Sequence, residues 1–188
     1  MKQIGLLLAV FLMGVWLVGC MAGEADDLAD RVQAMMDGDA GAYVVLTLPG
    51  TVDAALTQQL DAAGIVLFDP LGEYRYQAYV PLTAVPTLTA LHDNNVIIDV
   101  TAIDPTTKIK GDFADAQAPY AIVVHFYTAP TESETAVLSD TMVVEQTAVG
   151  VMNFVEGQAT GAQIKQLVEL PFVKLVEEAV VSSGGDGS

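Results

Sequence analysis

The sequence predicts an α+β protein in which one βαββαβ unit occurs twice. The first sign is an internal repeat: Tyr43 matches Tyr120, Leu88 matches Ile164, and the two copies are offset by about 76 residues. The second sign is that each copy alternates β-rich runs with segments whose apolar residues follow helical spacing. Turn residues such as Gly, Pro and Asp separate these runs and set the limits of the elements.

Residues 1–19 are predicted to be a lipoprotein signal peptide that is not part of the fold. Lys2 gives a basic start, and the apolar run of residues 4–18 is shorter than the about 20 residues that a membrane span needs. The run ends in LVGC, which resembles a bacterial lipobox, so Cys20 is expected to carry the lipid. Cys20 is the single cysteine of the chain, and a lipidated thiol needs no disulfide partner. Several acyl chains on Cys20 hold a protein firmly on a membrane.

Residues 20–41 are predicted to be an acidic tether with one short helix through Leu28, Val32 and Met35. The whole chain has 24 acidic and 7 basic side chains, a formal net charge of −17. Such a charge argues against binding to nucleic acid and against direct adhesion to anionic lipid. Met21 is not the aspartate that retains lipoproteins at the inner membrane of enteric bacteria. The expected location is therefore the bacterial cell envelope, with the outer membrane favoured.

The first unit is predicted over residues 42–103. A strand over residues 43–48 is followed by a helix that begins after a Thr51 cap and ends at Gly64. Two further strands flank a turn at Asp69-Pro70-Leu71-Gly72. Thr83 is expected to cap the second helix, whose first turn tolerates Pro86. The last strand of the unit covers residues 96–100.

The second unit is predicted over residues 119–181, after a polar linker of residues 104–118 and before a flexible tail of residues 182–188. Thr131 with Glu134, and Thr160 with Gln163, have the spacing of capping boxes at the starts of two helices. Pro171 ends the second of these helices, and the last strand covers residues 172–177. Two βαββαβ units predict two tandem ferredoxin-like sandwiches, each an antiparallel sheet covered by two helices.

Residues for catalysis or metal binding are not evident in the sequence. His92 and His125 have no helix-spaced partner and no free cysteine beside them, so a zinc site is not expected. The serines lie in no G-x-S-x-G elbow, and no phosphate-binding glycine loop precedes a helix. Glu177 and Glu178 are adjacent on a strand, so their side chains point to opposite faces. The sequence therefore predicts a protein that is not an enzyme and has no cofactor, metal or catalytic residue.

The second unit resembles the subtilisin-propeptide inhibitor family. The resemblance rests on the opening strand YAIVV, the segment MNFV, the helix start TGAQIKQL and the closing LPFVKLVEE. The first unit is similar to the extra amino-terminal module of some large secreted subtilases, through Pro49-Gly50, the AAG of residues 62–64 and the TKI of residues 107–109. The two resemblances together cover residues 43 to about 181.

The resemblance implies a protein that binds a subtilisin-like protease through its sheet and through the segment after its last strand. In that family the segment lies in the active-site cleft, where main-chain bonds supply affinity. Since no protease domain follows, inhibition or folding assistance is expected to act in trans. Two other interpretations remain open: a non-catalytic envelope adaptor that binds another exported protein, and a module that binds a small ligand between the repeats. The implied contact residues are Glu177, Glu178, Ala179, Val180, Val181 and Ser182.

Overall fold

The computed structural model describes residues 27–36, 41–148 and 153–179. Over these residues the chain is mixed α+β, with one sheet of four strands, one sheet of five strands and five helices. The predicted signal peptide, Cys20 and the predicted tail lie outside the described residues. The helices are α1 (Leu28–Ala34), α2 (Ala54–Ala62), α3 (Val85–Asp93), α4 (Glu132–Thr141) and α5 (Gly161–Glu169). The strands are β1 (Gly41–Thr47), β2 (Val66–Gly72), β3 (Arg75–Pro81), β4 (Asp99–Ala102), β5 (Ile109–Lys110), β6 (Pro119–Phe126), β7 (Val143–Ala148), β8 (Phe154–Thr160) and β9 (Val173–Glu178).

The first sheet has the strand order β2-β3-β1-β4, and every neighbouring pair is antiparallel. Side chains alternate along a strand, so Ala42, Val44 and Leu46 of β1 all lie on the face that the helices cover. Leu60 of α2 and Leu88 of α3 are buried in the same core. Tyr43, between two core residues of β1, therefore lies on the face that carries no helix of this unit.

Helix α1 is part of this first core, although its residues lie within the predicted tether. Asp27 caps the helix by accepting a hydrogen bond from the backbone N–H of Ala29. Leu28 and Val32 are 4% and 0% exposed and belong to the first core. The short helix predicted through Leu28, Val32 and Met35 is confirmed, and it is docked on the first unit because its apolar side is buried there.

The second sheet has the strand order β5-β9-β6-β8-β7. The pairs among β6, β7, β8 and β9 are antiparallel, whereas β5 pairs with β9 in parallel. Ile122, Val124 and Phe126 of β6 face α4 and α5, where Leu138 and Leu167 are fully buried. The order β-α-β-β-α-β along the chain is therefore the same in both halves of the structure.

The start of α2 and the hairpin after it differ from the prediction. Asp53, not Thr51, caps α2, because its carboxylate accepts a hydrogen bond from the N–H of Leu56 at 2.7 Å. The hairpin between β2 and β3 turns at Glu73 and Tyr74, which have φ values of 49° and 61°. Two positive φ values at a two-residue loop are typical of the turn that matches strand twist. The predicted turn at residues 69–72 is therefore wrong, and those residues continue β2.

The other helix limits agree with the prediction except at α3. Both capping boxes are confirmed, with Thr131 paired to Glu134 and Thr160 paired to Gln163. Pro86 lies in the first turn of α3, as expected. Thr83, however, caps no helix: it lies within a 3₁₀ turn (Leu82–Ala84) that leads directly into α3. The helical stretch therefore begins at Leu82, and the extended residue before it, Pro81, has no side chain that could accept a capping hydrogen bond.

Candidate functional site

The second sheet has one face that none of its own helices covers. Because Ile122, Val124 and Phe126 face the core, Val123 and His125 point to the opposite side. We call this side the open face; its residues are half-buried and are paired across neighbouring strands. The members of the open face are Val123, His125, Phe154, Glu156, Leu175 and Glu177.

An ion-pair cluster lies on the open face and contains one of the predicted contact residues. The carboxylate of Glu177 accepts a hydrogen bond from Lys110 Nζ at 2.9 Å and one from His125 Nε2 at 3.0 Å. The pKa of Glu177 is held below its usual value mainly by the hydrogen bond from Lys110 and secondly by the one from His125. Burial has a smaller effect in the opposite direction. Glu177 is therefore an ionised acceptor that ties β5, β6 and β9 together.

The end of β9 determines which predicted contact residues belong to the sheet. Glu177 is paired with Lys110 of β5 on one side and with Val123 of β6 on the other. Ala179 still donates its backbone N–H to the carbonyl of Ala121 at 2.9 Å. The main chain is thus bound to the sheet as far as Ala179. Val180, Val181 and Ser182 lie outside the described residues.

Lys108 is a buried cation that the sequence analysis did not single out. It is 4% exposed, and its Nζ donates to the carbonyl oxygen of Leu170, the C-cap of α5, at 3.0 Å. A cation at a helix C-terminus is favoured by the helix dipole. Burial lowers the pKa of Lys108 to about 8, although the nearby charge of Glu169 raises it. The bond to Leu170 fastens the linker to the second unit.

The two units meet through aromatic rings. Tyr127 follows β6, and its ring stacks on Tyr43 with centroids 4.5 Å apart and lies 5.0 Å from Phe68. Tyr43 also packs against Tyr79 at 5.1 Å. An ion pair between Lys174 and Asp69 adds a second link. These contacts lie at the junction of the two units.

The Tyr127 hydroxyl is buried, and no hydrogen-bond partner for it occurs among the described residues. Burial, together with the nearby Tyr43 and Asp69, raises the pKa of Tyr127. Burial also raises the pKa of Tyr43, although a hydrogen bond with Thr128 partly offsets that effect. Both rings are therefore neutral packing groups at the junction of the units.

No protein-family model matches the sequence, and comparisons with curated proteins and with solved structures found no match. Within residues 27–36, 41–148 and 153–179, no helix is long and apolar enough to cross a bilayer. The same residues contain no group of three or more His, Cys, Asp or Glu side chains placed to hold a metal ion. The resemblance to the subtilisin-propeptide inhibitor family stays a prediction.

Proposed function

We propose that this chain is an exported protein, anchored by lipid on Cys20, that binds a subtilisin-like serine protease in trans as an inhibitor or folding chaperone. The second unit and the segment that follows β9 make the contact. Each βαββαβ unit is proposed to be a ferredoxin-like sandwich. Two observations support this: the element order is the same in both units, and the strand order β2-β3-β1-β4 of the first sheet corresponds to β7-β8-β6-β9 of the second. The lipidation site and the last part of the contact segment are taken from the sequence alone, because they lie outside the described residues: Cys20, Val180, Val181 and Ser182.

The observation that carries the proposal is where the chain leaves the second sheet. Ala179 is bound to Ala121 of β6, next to Val123 and Glu177 of the open face. A segment that continues from Ala179 therefore starts beside a half-buried sheet face. A partner that covers the open face can receive the segment in an adjoining groove.

An extended segment binds a protease groove mainly through main-chain hydrogen bonds, and its side chains add selectivity. Its affinity is limited by the cost of ordering the segment on binding. The bonds that hold Glu177 and Ala179 to neighbouring strands remove part of that cost, because the base of the segment is already ordered. The groove-binding residues are therefore expected to be Val180, Val181 and Ser182, while Glu177 and Glu178 contribute side-chain contacts.

The test is a titration of the purified protein against a panel of subtilisin-like proteases. A variant that ends at Ala179 keeps every described residue, so its melting temperature should equal that of the full chain. We expect it to lose at least about tenfold in inhibition, because the loss of two or three main-chain hydrogen bonds costs about 1.4 kcal/mol or more. Equal inhibition by both forms would disprove the segment mechanism.

A proline substitution gives a finer test of the same mechanism. Val181→Pro removes one backbone N–H and restricts φ, so it should weaken inhibition if that N–H donates to the groove. Val181→Ala keeps the N–H and serves as the matched control. A Val181→Ala protein that loses as much inhibition as Val181→Pro would show that the side chain, not the main chain, makes the contact.

The lipid anchor is tested separately. Cys20→Ala removes the only thiol, so the variant should stay unprocessed or appear in the soluble fraction. A variant that is still membrane-bound and trimmed at residue 20 would contradict lipidation.

A second candidate function is a non-catalytic adaptor that binds another exported protein. Val143 of the edge strand β7 is 66% exposed, and Val137 of the neighbouring helix α4 is 41% exposed. Exposed apolar side chains on an unpaired strand edge favour pairing with another chain. If no protease in the panel is inhibited, Val143→Lys should abolish binding to the partner protein, whereas the truncation at Ala179 should leave that binding unchanged.

A further inference from the structure

The docking of α1 limits how far the body can move from a lipid on Cys20. Leu28 and Val32 are buried in the first core, and Met35 and Met36 pack against it. Burying side chains of this size contributes about 1.5–3 kcal/mol each. Helix α1 is therefore held by apolar packing and belongs to the body rather than to the tether.

An ion pair between α1 and β4 accompanies this apolar packing. Arg31 of α1 lies with its Nη1 3.4 Å from Asp99 Oδ1 at the start of the edge strand β4. The side chains of Arg31 and Asp99 are 32% and 42% exposed, so the pair contributes little energy. It aligns α1 with α3 and β4, which are the elements that α1 contacts most.

The number of residues between Cys20 and the folded body sets the maximum distance between the lipid and that body. From Cys20 to Leu28 there are eight residue steps, which span at most about 28 Å whatever their conformation. If α1 were undocked, the span from Cys20 to Gly41 would comprise 21 steps and reach about 70 Å. Docking of α1 therefore shortens the maximum reach by more than twofold.

The first sheet lies between α1 and the second unit. Helix α1 packs on the helix-covered side of that sheet, in the core that contains Val44 and Leu46. Tyr43 and Phe68, which contact Tyr127 of the second unit, lie on the opposite face. The first unit is thus a spacer, about 30 Å across for a domain of this size, between the anchor and the second unit.

We propose that α1 is the docking point of the lipid tether, so that the second unit acts on a partner held close to the same bilayer rather than on freely diffusing proteins. This inference rests on the lipidation of Cys20 that was proposed above. It assigns a role to the first unit, which carries the anchor on one side and the second unit on the other.

The experiment measures energy transfer from the second unit to a bilayer. The full chain is purified from membranes and reconstituted into phosphatidylcholine vesicles that carry an acceptor dye on a lipid headgroup. Gln166→Cys, on an exposed position of α5, provides the only free thiol for the donor dye, since the thiol of Cys20 is lipidated. Three further forms carry the same label: a 20-residue Gly/Ser insertion after Asp26, Val32→Asp, and Gln33→Asp as the matched control on the exposed side of α1.

We expect strong transfer in the parent protein and in Gln33→Asp. The insertion adds a coil with a root-mean-square length of about 25 Å, so transfer should fall by about twofold or more. Val32→Asp places a charge at a fully buried position, so α1 should leave the core and transfer should fall similarly. The insertion changes no described residue, so it shows that transfer responds to tether length even if Val32→Asp lowers the melting temperature of the body. Transfer that falls with the insertion but not with Val32→Asp would overturn the role of α1, because the docked helix would then not set the tether length.

Equal transfer in the parent, the insertion and Val32→Asp would overturn the proposal, because the docked helix would then not limit the reach. Flotation of the vesicles separates this result from a failure of the anchor. If the parent protein does not float with the vesicles, lipidation of Cys20 has failed; if it floats and transfer is insensitive to the insertion, only the role of α1 has failed.

Discussion

At the scale of single residues, Lys108 has an ammonium group buried where the linker meets α5. Its pKa in the folded protein is about 8, against 10.5 for an unperturbed lysine. Between these values the unfolded chain binds a proton that the folded chain releases. Folding stability should therefore rise with pH between about 8 and 10.5, by up to about 1.4 kcal/mol per pH unit.

The measurement is urea unfolding of the wild type and of Lys108→Met between pH 8 and 9.5, below the range in which tyrosines ionise. We expect the wild type to gain stability relative to Lys108→Met as the pH rises through this window. Parallel curves for the two proteins would show that the ammonium group is not buried in solution.

Tyr127 gives the second prediction at this scale. Its buried hydroxyl has no partner among the described residues, so Tyr127→Phe removes an unsatisfied group and should stabilise the protein by about 1 kcal/mol. Tyr43→Phe is the matched control, because the Tyr43 hydroxyl has a hydrogen bond with Thr128 and its loss should not stabilise. Urea unfolding at pH 7 measures both changes. A loss of stability in Tyr127→Phe would mean that the hydroxyl has a partner such as a bound water.

At the scale of elements, the residue that caps α2 distinguishes the predicted helix start, at Thr51, from the observed one, at Asp53. Asp53→Ala should cost about 1 kcal/mol, because it leaves the N–H of Leu56 without its acceptor. Thr51→Ala should change stability by less than about 0.5 kcal/mol, as is usual for an exposed position outside a cap. Thermal or urea unfolding of the two variants gives the comparison. A larger loss of stability in Thr51→Ala than in Asp53→Ala would support the predicted helix start at Thr51.

The helix faces that the repeat predicted give another test. Leu88 of α3 and Leu167 of α5 are fully buried on the core-facing sides of the second helix of each unit. Leu88→Asp and Leu167→Asp should each be severely destabilising, because each buries an unpaired charge. Thr87→Asp and Gln166→Asp, at exposed neighbouring positions, are the controls. Melting temperatures that fall equally in a variant and its control would contradict the assignment of the faces.

The elements with a local signal were predictable, and those formed by distant contacts were not. The Thr131 and Thr160 capping boxes follow from residues three positions apart, so the sequence alone locates those helix starts. Asp69-Pro70 has the composition of a turn, yet β2 is an edge strand, where a proline need not donate to the sheet. Strand β5 and the buried Lys108 depend on partners more than 60 residues away, which no local pattern reveals.

The candidate site was predictable to a similar extent. Alternation along a strand predicted that Glu177 and Glu178, at the end of the last strand, point to opposite faces of the sheet. The bonds between His125, Glu177 and Lys110 could not be predicted, because Lys110 comes from a two-residue parallel strand within the predicted linker. Parallel pairing has no short connection that would mark it in the sequence.

At the scale of the whole molecule, the units are joined by Tyr127 and the rings around it. We expect the wild type to unfold in one calorimetric transition, since burial of these rings couples the two cores. Tyr127→Ala removes the ring that contacts both Tyr43 and Phe68, so the transition should split into two. Tyr127→Phe keeps the ring and should keep a single transition. One unchanged transition in Tyr127→Ala would show that other contacts couple the units.

The position of β9 between β5 and β6 has a consequence for the order of events during synthesis. Chains emerge from the ribosome with the N-terminal part first. All strands of the first sheet precede residue 103, so that sheet can close before the rest of the chain is available. The second sheet cannot close in this way, because β6 needs its neighbour β9, and among the described strands β5 pairs only with β9. Strand β9, the last of the described strands, is therefore the one that completes the second sheet, and a chain that stops before Val173 has one complete unit and one that lacks a strand between β5 and β6.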